Sequence, residues 1–72
     1  MLELNLCGLN CPLPVLKTKK FLVNLASGEQ LTVLTTDPAS QIDLQDFCRK
    51  TGNILLEQTQ QATTITTIIQ RR

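Results

Sequence analysis

The stretch that decides the fold is Gly8-Leu9-Asn10-Cys11-Pro12-Leu13-Pro14, which places a thiol between a strand pattern and a helix pattern. Residues 2–6 alternate leucine with polar side chains, which is the period of a strand with one buried face. After the cysteine, apolar side chains recur at helical spacing instead. The sequence therefore predicts that a strand ends before Cys11 and that a helix begins after it.

The two prolines of this stretch bear on the chemistry of the thiol. Proline is tolerated at the first helical position, and it pushes the preceding residue into the extended conformation that an N-cap needs. We therefore expect Cys11 to be the N-cap of a helix that begins at Pro12 or Pro14. The partial positive charge of a helix N-terminus favours a thiolate, so the pKa of Cys11 should lie below its ordinary value of about 8.5. Such a thiolate would be a nucleophile.

Length, composition and charge indicate one small folded domain, residues 1–72, with an apolar content of 42%. The formal net charge of +1 gives no long-range attraction to nucleic acid or to an acidic membrane. The sequence contains neither an apolar run of membrane-spanning length nor the N-terminal pattern of a signal peptide. We expect a cytoplasmic protein that binds neither nucleic acid nor membranes.

The residue types that are absent exclude several kinds of site. The chain has no His, which excludes Cys-His and Ser-His catalytic pairs and histidine metal sites. Two Phe residues without Trp or Tyr cannot form the base-stacking platform of an RNA-recognition module. Three cysteines are an odd number, which fits free thiols in a reducing compartment better than a disulfide framework.

The residues after the quoted stretch predict a first helix and a second strand. The helical apolar pattern runs from Val15 to Ala26, and Gly28 should end the helix as a left-handed C-cap. Residues 30–36 are alternating and β-branched, as in a strand. The buried stripe of the helix should consist of residues 15, 18, 22, 25 and 26, widened on both sides by Leu16, Phe21 and Val23.

A second helix and a hairpin complete the pattern. The helix should begin at Asp37 or Ser40 and end at Gly52, and residues 54–58 and 63–70 should form two strands of a hairpin. The apolar stripe of this helix includes Leu44, Phe47, Cys48 and Thr51.

The predicted order is βαβαββ, which favours an α/β two-layer sandwich of the α+β type. Two helices should pack on one face of a mixed four-stranded sheet, whose first two strands are parallel. Arg71 and Arg72 are expected to protect the last strand as an edge of the sheet. By strand parity, Cys7 should lie with Glu3 and Asn5 on the face away from the helices and be accessible.

Two shorter motifs stand in register with residues 8–14: Gly28-Glu29 before the second strand, and Asp37-Pro38-Ala39 at the start of the second helix. On these motifs the chain resembles the TusA/SirA family of small sulfur-carrier proteins, whose signature is Gly-Leu-x-Cys-Pro-x-Pro. The resemblance implies a sulfurtransferase-type carrier that holds a covalent persulfide on Cys11 and needs no other cofactor and no metal. The sulfur would come from a cysteine desulfurase and pass to a downstream sulfur-relay acceptor, such as the thiolation of tRNA uridines.

The cysteines leave other interpretations open. Cys7 is close enough in sequence to act as a resolving thiol for Cys11, which would make the protein a thiol-disulfide redox factor. A metal site built from the three cysteines lacks a fourth soft ligand and the usual two-residue spacing. The domain would be a non-catalytic interaction module if no thiol reacts. Cys48, on the apolar stripe of the second helix, is expected to be a packed core thiol.

The polar face of the first helix gives a further candidate site. At about 100° per residue, Leu13 falls together with Lys17 and Lys20, beside the cysteine. An apolar anchor among cations would orient an approaching partner, although lysine faces are also typical of plain solvated surface. We predict partner docking at these three residues, on a helix N-terminus shaped by Gly8, Pro12 and Pro14.

Overall fold

The sequence folds into the predicted βαβαββ order in a computed structural model that describes residues 2–72. The elements are β1 (Leu2–Asn5), α1 (Leu13–Leu22), β2 (Gln30–Thr35), α2 (Ser40–Thr51), β3 (Ile54–Gln61) and β4 (Thr64–Gln70). β1 runs parallel to β2, whereas β4 is antiparallel to both β2 and β3, so the spatial order is β1-β2-β4-β3. Both helices lie on one face of this mixed sheet and contact each other, which confirms the two-layer sandwich.

The core lies between the helices and the two central strands. Strand side chains point to opposite faces in turn, and the buried residues of β2 and β4 that share one face are Leu31, Val33, Thr35, Ile65, Thr67 and Ile69. The helices cover them with Leu22, Leu44, Phe47 and Cys48. The apolar stripe predicted for the second helix is therefore confirmed.

The second helix also ends where the sequence predicts. Gly52 has a φ of +81° and donates its N–H to the Cys48 carbonyl at 2.9 Å, which is the left-handed C-cap geometry that glycine adopts readily. The following hairpin has a longer first strand than expected, since β3 continues to Gln61 and its turn is formed at Ala62, which has a φ of +55°.

The first helix is shorter than its sequence pattern predicts. It ends at Leu22 rather than Ala26, and the backbone continues through turns in which the Leu25 N–H is donated to the Leu22 carbonyl at 3.0 Å. That same carbonyl accepts a hydrogen bond from Arg71 Nε at 2.9 Å. A cation at a helix C-terminus gives this carbonyl a second, charged donor and favours the helix dipole. An arginine from the other end of the chain thus takes the capping role expected of Gly28.

Gly28 nevertheless needs its conformational freedom, for a different reason. Its φ is +90°, and its N–H is donated to the Arg71 carbonyl at 2.8 Å in the turn that precedes β2. The Arg71 N–H returns a bond to the Glu29 carbonyl at 2.9 Å. The glycine therefore shapes the entry to β2 and fastens the C-terminal residues there.

The expected roles of two groups of side chains are wrong. Leu16 and Val23 do not widen the buried stripe, because they are 53% and 64% exposed, and each lines a surface pocket that Phe47 of α2 also lines. Arg71 and Arg72 do not protect an edge strand, because β4 lies between β2 and β3. The sheet edges are β1 and β3 instead. Among residues 2–72, no helix is long and apolar enough to cross a membrane.

The Arg71 contact generates a test of stability. Arg71→Met keeps most of the aliphatic stem but removes the donor to the Leu22 carbonyl, so the free energy of unfolding should fall by about 1–2 kcal/mol in urea denaturation. Arg72→Met is the matched control, because Arg72 uses its backbone N–H, not its side chain, to bond Asn53 Oδ1. It should cost less than about 0.5 kcal/mol. Equal losses in the two variants would contradict the capping role.

Candidate functional site

Cys11 lies at the end of the loop between β1 and α1, where its side chain is exposed. The loop is held by residues that follow β2. Gly8 donates its N–H to Thr36 Oγ1 at 2.9 Å, and Cys11 donates its own to Asp37 Oδ2 at 2.6 Å. Gly8 has a φ of +87°, a conformation that side chains rarely adopt, so glycine is needed for this loop to turn. The cysteine is thus positioned by its backbone and presented to solvent.

Asp37 joins the cysteine loop to the start of α2. Besides the Cys11 N–H, its carboxylate accepts the Ala39 N–H at 3.1 Å, and its carbonyl accepts the Ser40 N–H at 2.9 Å. Ser40 Oγ in turn lies 2.6 Å from the Thr35 hydroxyl at the buried end of β2. The sequence pattern indicated that Asp37 opens a helix, and the structure adds that the same side chain fixes the nucleophile's backbone.

The start of α1 differs from the prediction. The helix begins at Leu13, and the N-cap position is occupied by Pro12, with a φ of −97° and no side-chain capping bond. Cys11 is therefore not the N-cap, and the Cys11–Pro12 peptide bond is cis. The N–H of Leu13 is donated to the Asn10 carbonyl at 2.9 Å. Pro14 lies buried beneath the loop. The first N–H of the helix is thus bonded to the loop backbone rather than to the Cys11 sulfur.

The sulfur has a carboxylate as its partner instead. Cys11 Sγ donates to Asp43 Oδ2 at 2.9 Å, from the first turn of α2. This hydrogen bond raises the pKa of the Cys11 thiol above its ordinary value, and partial desolvation and the charges of Asp43 and Asp37 raise it further. The expected lowering of the Cys11 pKa is therefore wrong. A hydrogen bond that needs the S–H, beside two negative charges, favours the protonated sulfur.

Cys11 opens onto a groove between the two helices, with a volume of about 440 Å³. Its apolar lining comes from Val15, Leu16 and Phe47. Four charged residues also line it: Lys19, Asp43, Asp46 and Lys50. The sequence pattern did not identify this groove, because it assigned Leu16 to the buried stripe. A partner that reaches the sulfur finds an apolar surface beside it.

The predicted docking residues lie on the other flank of α1. Leu13 is 43% exposed, next to the cysteine loop. Lys17 and Lys20 line a separate pocket of about 280 Å³ that is formed with Leu4, Phe21 and Asn24, and Cys11 does not line it. Leu13 therefore lies at the N-terminal end of α1, and the two lysines follow it along the flank that faces away from the groove.

The other two cysteines differ in exposure. Cys7 is exposed, as predicted, but β1 ends at Asn5, so the reason is the turn that follows rather than strand parity. Cys48 is buried, and burial raises the pKa of its thiol to about 11. Both are free thiols, as is Cys11. Within residues 2–72 there is no group of three or more His, Cys, Asp or Glu residues placed to hold a metal ion.

The predicted parallel arrangement of β1 and β2 was the one clue to the position of Asp43. The carboxyl ends of two parallel neighbouring strands meet at the same edge of a sheet, so the loop after β1 and the start of α2 must lie side by side. Asp43 stands in the first turn of α2, where an acidic residue also favours the helix dipole. Topology, rather than a local motif, brings this carboxylate to the thiol.

The Asp37 contacts yield a second test. Asp37→Ala should lower the free energy of unfolding by about 1–3 kcal/mol, because two backbone N–H groups lose a charged acceptor. Hydrogen exchange at the Cys11 amide should become faster in the folded protein. Asp46→Ala is the control, since Asp46 pairs with Arg49 on the surface, and exposed pairs contribute at most about 1 kcal/mol. A Cys11 amide that stays protected in Asp37→Ala would refute the anchoring role.

Comparison with known proteins identifies a family that this sequence matches. The sequence model of the family described as Sulfurtransferase TusA matches residues 2–71. A protein of Allochromatium vinosum named Sulfur carrier protein TusA is 51% identical over 55 residues, covering 76% of this chain and 72% of its own length. A Pseudomonas putida protein of the same name is 43% identical over 61 residues, covering 85% and 76% of the two chains.

A solved structure is also similar. The crystal structure of the SirA-like protein from Desulfitobacterium hafniense matches with a TM-score of 0.85 and 29% identity, covering 97% of this chain and 96% of that one. The resemblance found in the sequence motifs is thus confirmed. Since the family match includes Cys11 and every element that positions it, the chain belongs to the TusA family of sulfur-carrier proteins.

Proposed function

We propose that this protein is a covalent sulfur carrier, with Cys11 as the atom-transferring residue. Cys11 accepts persulfide sulfur from a cysteine desulfurase and relays it to a downstream acceptor protein, such as one that serves the thiolation of tRNA uridines. The observation that carries the proposal is the exposed Cys11 thiol, held by its backbone at the mouth of an apolar groove. Its setting is the cytoplasm, where thiols are kept reduced.

The transfer needs no net oxidation or reduction within the pair of proteins. The Cys11 sulfur attacks the outer sulfur of the donor's persulfide, and the donor's S–S bond breaks as the new S–S bond forms. The donor cysteine leaves with the electron pair and takes up a proton, which balances the proton lost by Cys11. Discharge repeats the exchange, with the acceptor's thiolate attacking the outer sulfur on Cys11.

The remaining catalytic groups must come from the partners. The chain has no His to act as a general base, and the Asp43 carboxylate accepts a hydrogen bond that the Cys11 thiol makes only while it keeps its proton. A partner must also bring its sulfur within bonding distance, so the carrier has to be recognised as a folded surface. The protein therefore works as a shuttle between enzymes, and no cofactor is needed beyond the sulfur held on Cys11.

We propose that partners dock on the flank of α1 that carries Leu13, Lys17 and Lys20. Leu13 offers exposed apolar area beside the loop, and Lys17 and Lys20 give this flank a positive charge. An apolar contact near the sulfur would anchor the complex, while the cations would accelerate encounter with an acidic surface at low salt. The groove on the opposite flank, with Lys19, offers the alternative approach.

The carrier proposal predicts which cysteine gains sulfur. After incubation with a cysteine desulfurase and cysteine, the parent protein should gain the mass of one sulfur, and Cys11→Ser should gain none. Cys7→Ser and Cys48→Ser should load normally, because Cys7 lies outside the groove lining and Cys48 is buried. Intact-mass analysis checks this. A reversible loss of two hydrogens that requires Cys7 and Cys11 would instead indicate a redox factor. An unchanged mass would indicate an interaction module.

The docking proposal predicts a loss of transfer without a loss of reactivity. Leu13→Ala and the pair Lys17→Glu/Lys20→Glu should fold normally and react with iodoacetamide at the parent rate. Their sulfur transfer from the desulfurase at low salt should fall about tenfold or more, since reversed charges repel an acidic partner. Lys19→Glu is the matched control on the groove flank of the same helix. If only this control loses transfer, partners approach through the groove and the proposed surface is wrong.

A further inference from the structure

The contact between Cys11 and Asp43 is not explained by a need for a reactive thiol. Cys11 Sγ lies 2.9 Å from Asp43 Oδ2, and an ionised carboxylate only accepts hydrogen bonds. The bond therefore exists only while the sulfur keeps its proton. A thiolate at the same position would face a carboxylate without a proton between them.

The groups around the sulfur do not cancel this effect. α2 contributes Asp43, Asp46 and Lys50 to the groove, α1 contributes Lys19, and the loop after β2 contributes Asp37. Asp46 forms an ion pair with Arg49, outside the contact with Cys11. Asp43 is the charged side chain among residues 2–72 with a hydrogen bond to the sulfur. The hydrogen bond to Asp43 raises the pKa of Cys11, and desolvation and the charges of Asp43 and Asp37 raise it further.

We propose that Asp43 holds the Cys11 thiol in its protonated form in the free carrier and so limits its reactivity between partners. Loss of the proton to solvent, or to the departing thiolate of a sulfur donor, breaks the S–H···O contact and leaves two like charges adjacent. The free carrier is thereby protected from alkylation and oxidation, which require the thiolate. This inference deepens the proposed sulfur-carrier function and rests on it for its biological meaning, but not for its test.

The test is the pH dependence of Cys11 alkylation by iodoacetamide, a neutral reagent, followed by intact mass in a Cys7→Ser background. Asp43→Asn removes the charge and nearly preserves the shape, and its amide is able to donate to a thiolate. The alkylation midpoint, the pH at which the alkylation rate reaches half its maximum, should fall by about one pH unit or more. This means about ten times more thiolate at neutral pH. Asp46→Asn removes the same charge from the same helix and groove without touching the sulfur, and its midpoint should stay close to that of the parent.

Two results would overturn the inference: an unshifted midpoint in Asp43→Asn, or an equal shift in both variants. Circular dichroism verifies that each variant is folded. A measurement without any Asp43 substitution keeps the proposal testable if that variant does not fold. The midpoint of the folded background protein should lie above that of the same protein unfolded in urea, and a folded midpoint at or below the unfolded one would equally overturn it.

Loading by a desulfurase separates this inference from the carrier proposal. A shifted midpoint in a protein that never gains sulfur would support the role of Asp43 and refute the carrier. If the parent protein loads normally and Asp43→Asn has the same midpoint as the parent, the result would support the carrier and refute the role of Asp43.

Discussion

The parallel pairing of β1 with β2 is the constraint on which the site depends. Leu2 pairs with Leu31 and Asn5 with Leu34, and the ladder continues as the Leu6 N–H is donated to the Leu34 carbonyl at 2.8 Å. Because the two strands run in the same direction, their carboxyl ends lie next to each other at one end of the sheet. The cysteine loop leaves β1 there, and the loop to α2 leaves β2 beside it. Every polar contact to Cys11 follows from this proximity.

The electrostatic character of the site also follows from this arrangement. Each strand is followed by a helix, so a helix N-terminus lies on either side of the thiol, and a positive environment was the natural expectation. Two carboxylates at the start of α2, Asp37 and Asp43, contact Cys11 instead. A nucleophilic enzyme lowers the pKa of its thiol. A carrier that travels between enzymes has a different requirement, since an unpaired thiolate is open to alkylation and oxidation.

A small domain has little core with which to hold such a site, and here the end of the chain contributes. Arg71 satisfies the last carbonyl of α1 with its side chain and pairs with the turn before β2 through its backbone. The helix that follows the cysteine loop is therefore fixed at its far end by the residue that follows β4. The exposed side chains of α1 are left free for contacts with other proteins, which agrees with a function that depends on partners.

Local sequence determined the number, type and order of the elements, the left-handed C-cap at Gly52, the packed Cys48 and the identity of the exposed Cys11. These features depend on periodicity and on backbone preferences that act within a few residues. The end of α1 at Leu22, the exposure of Leu16 and the raised pKa of Cys11 were decided by tertiary contacts. The partners in those contacts are far apart in sequence, 26 residues for Cys11 with Asp37, 32 for Cys11 with Asp43 and 49 for Leu22 with Arg71. No local pattern encodes such distances, because they arise only when the sheet sets its strand order.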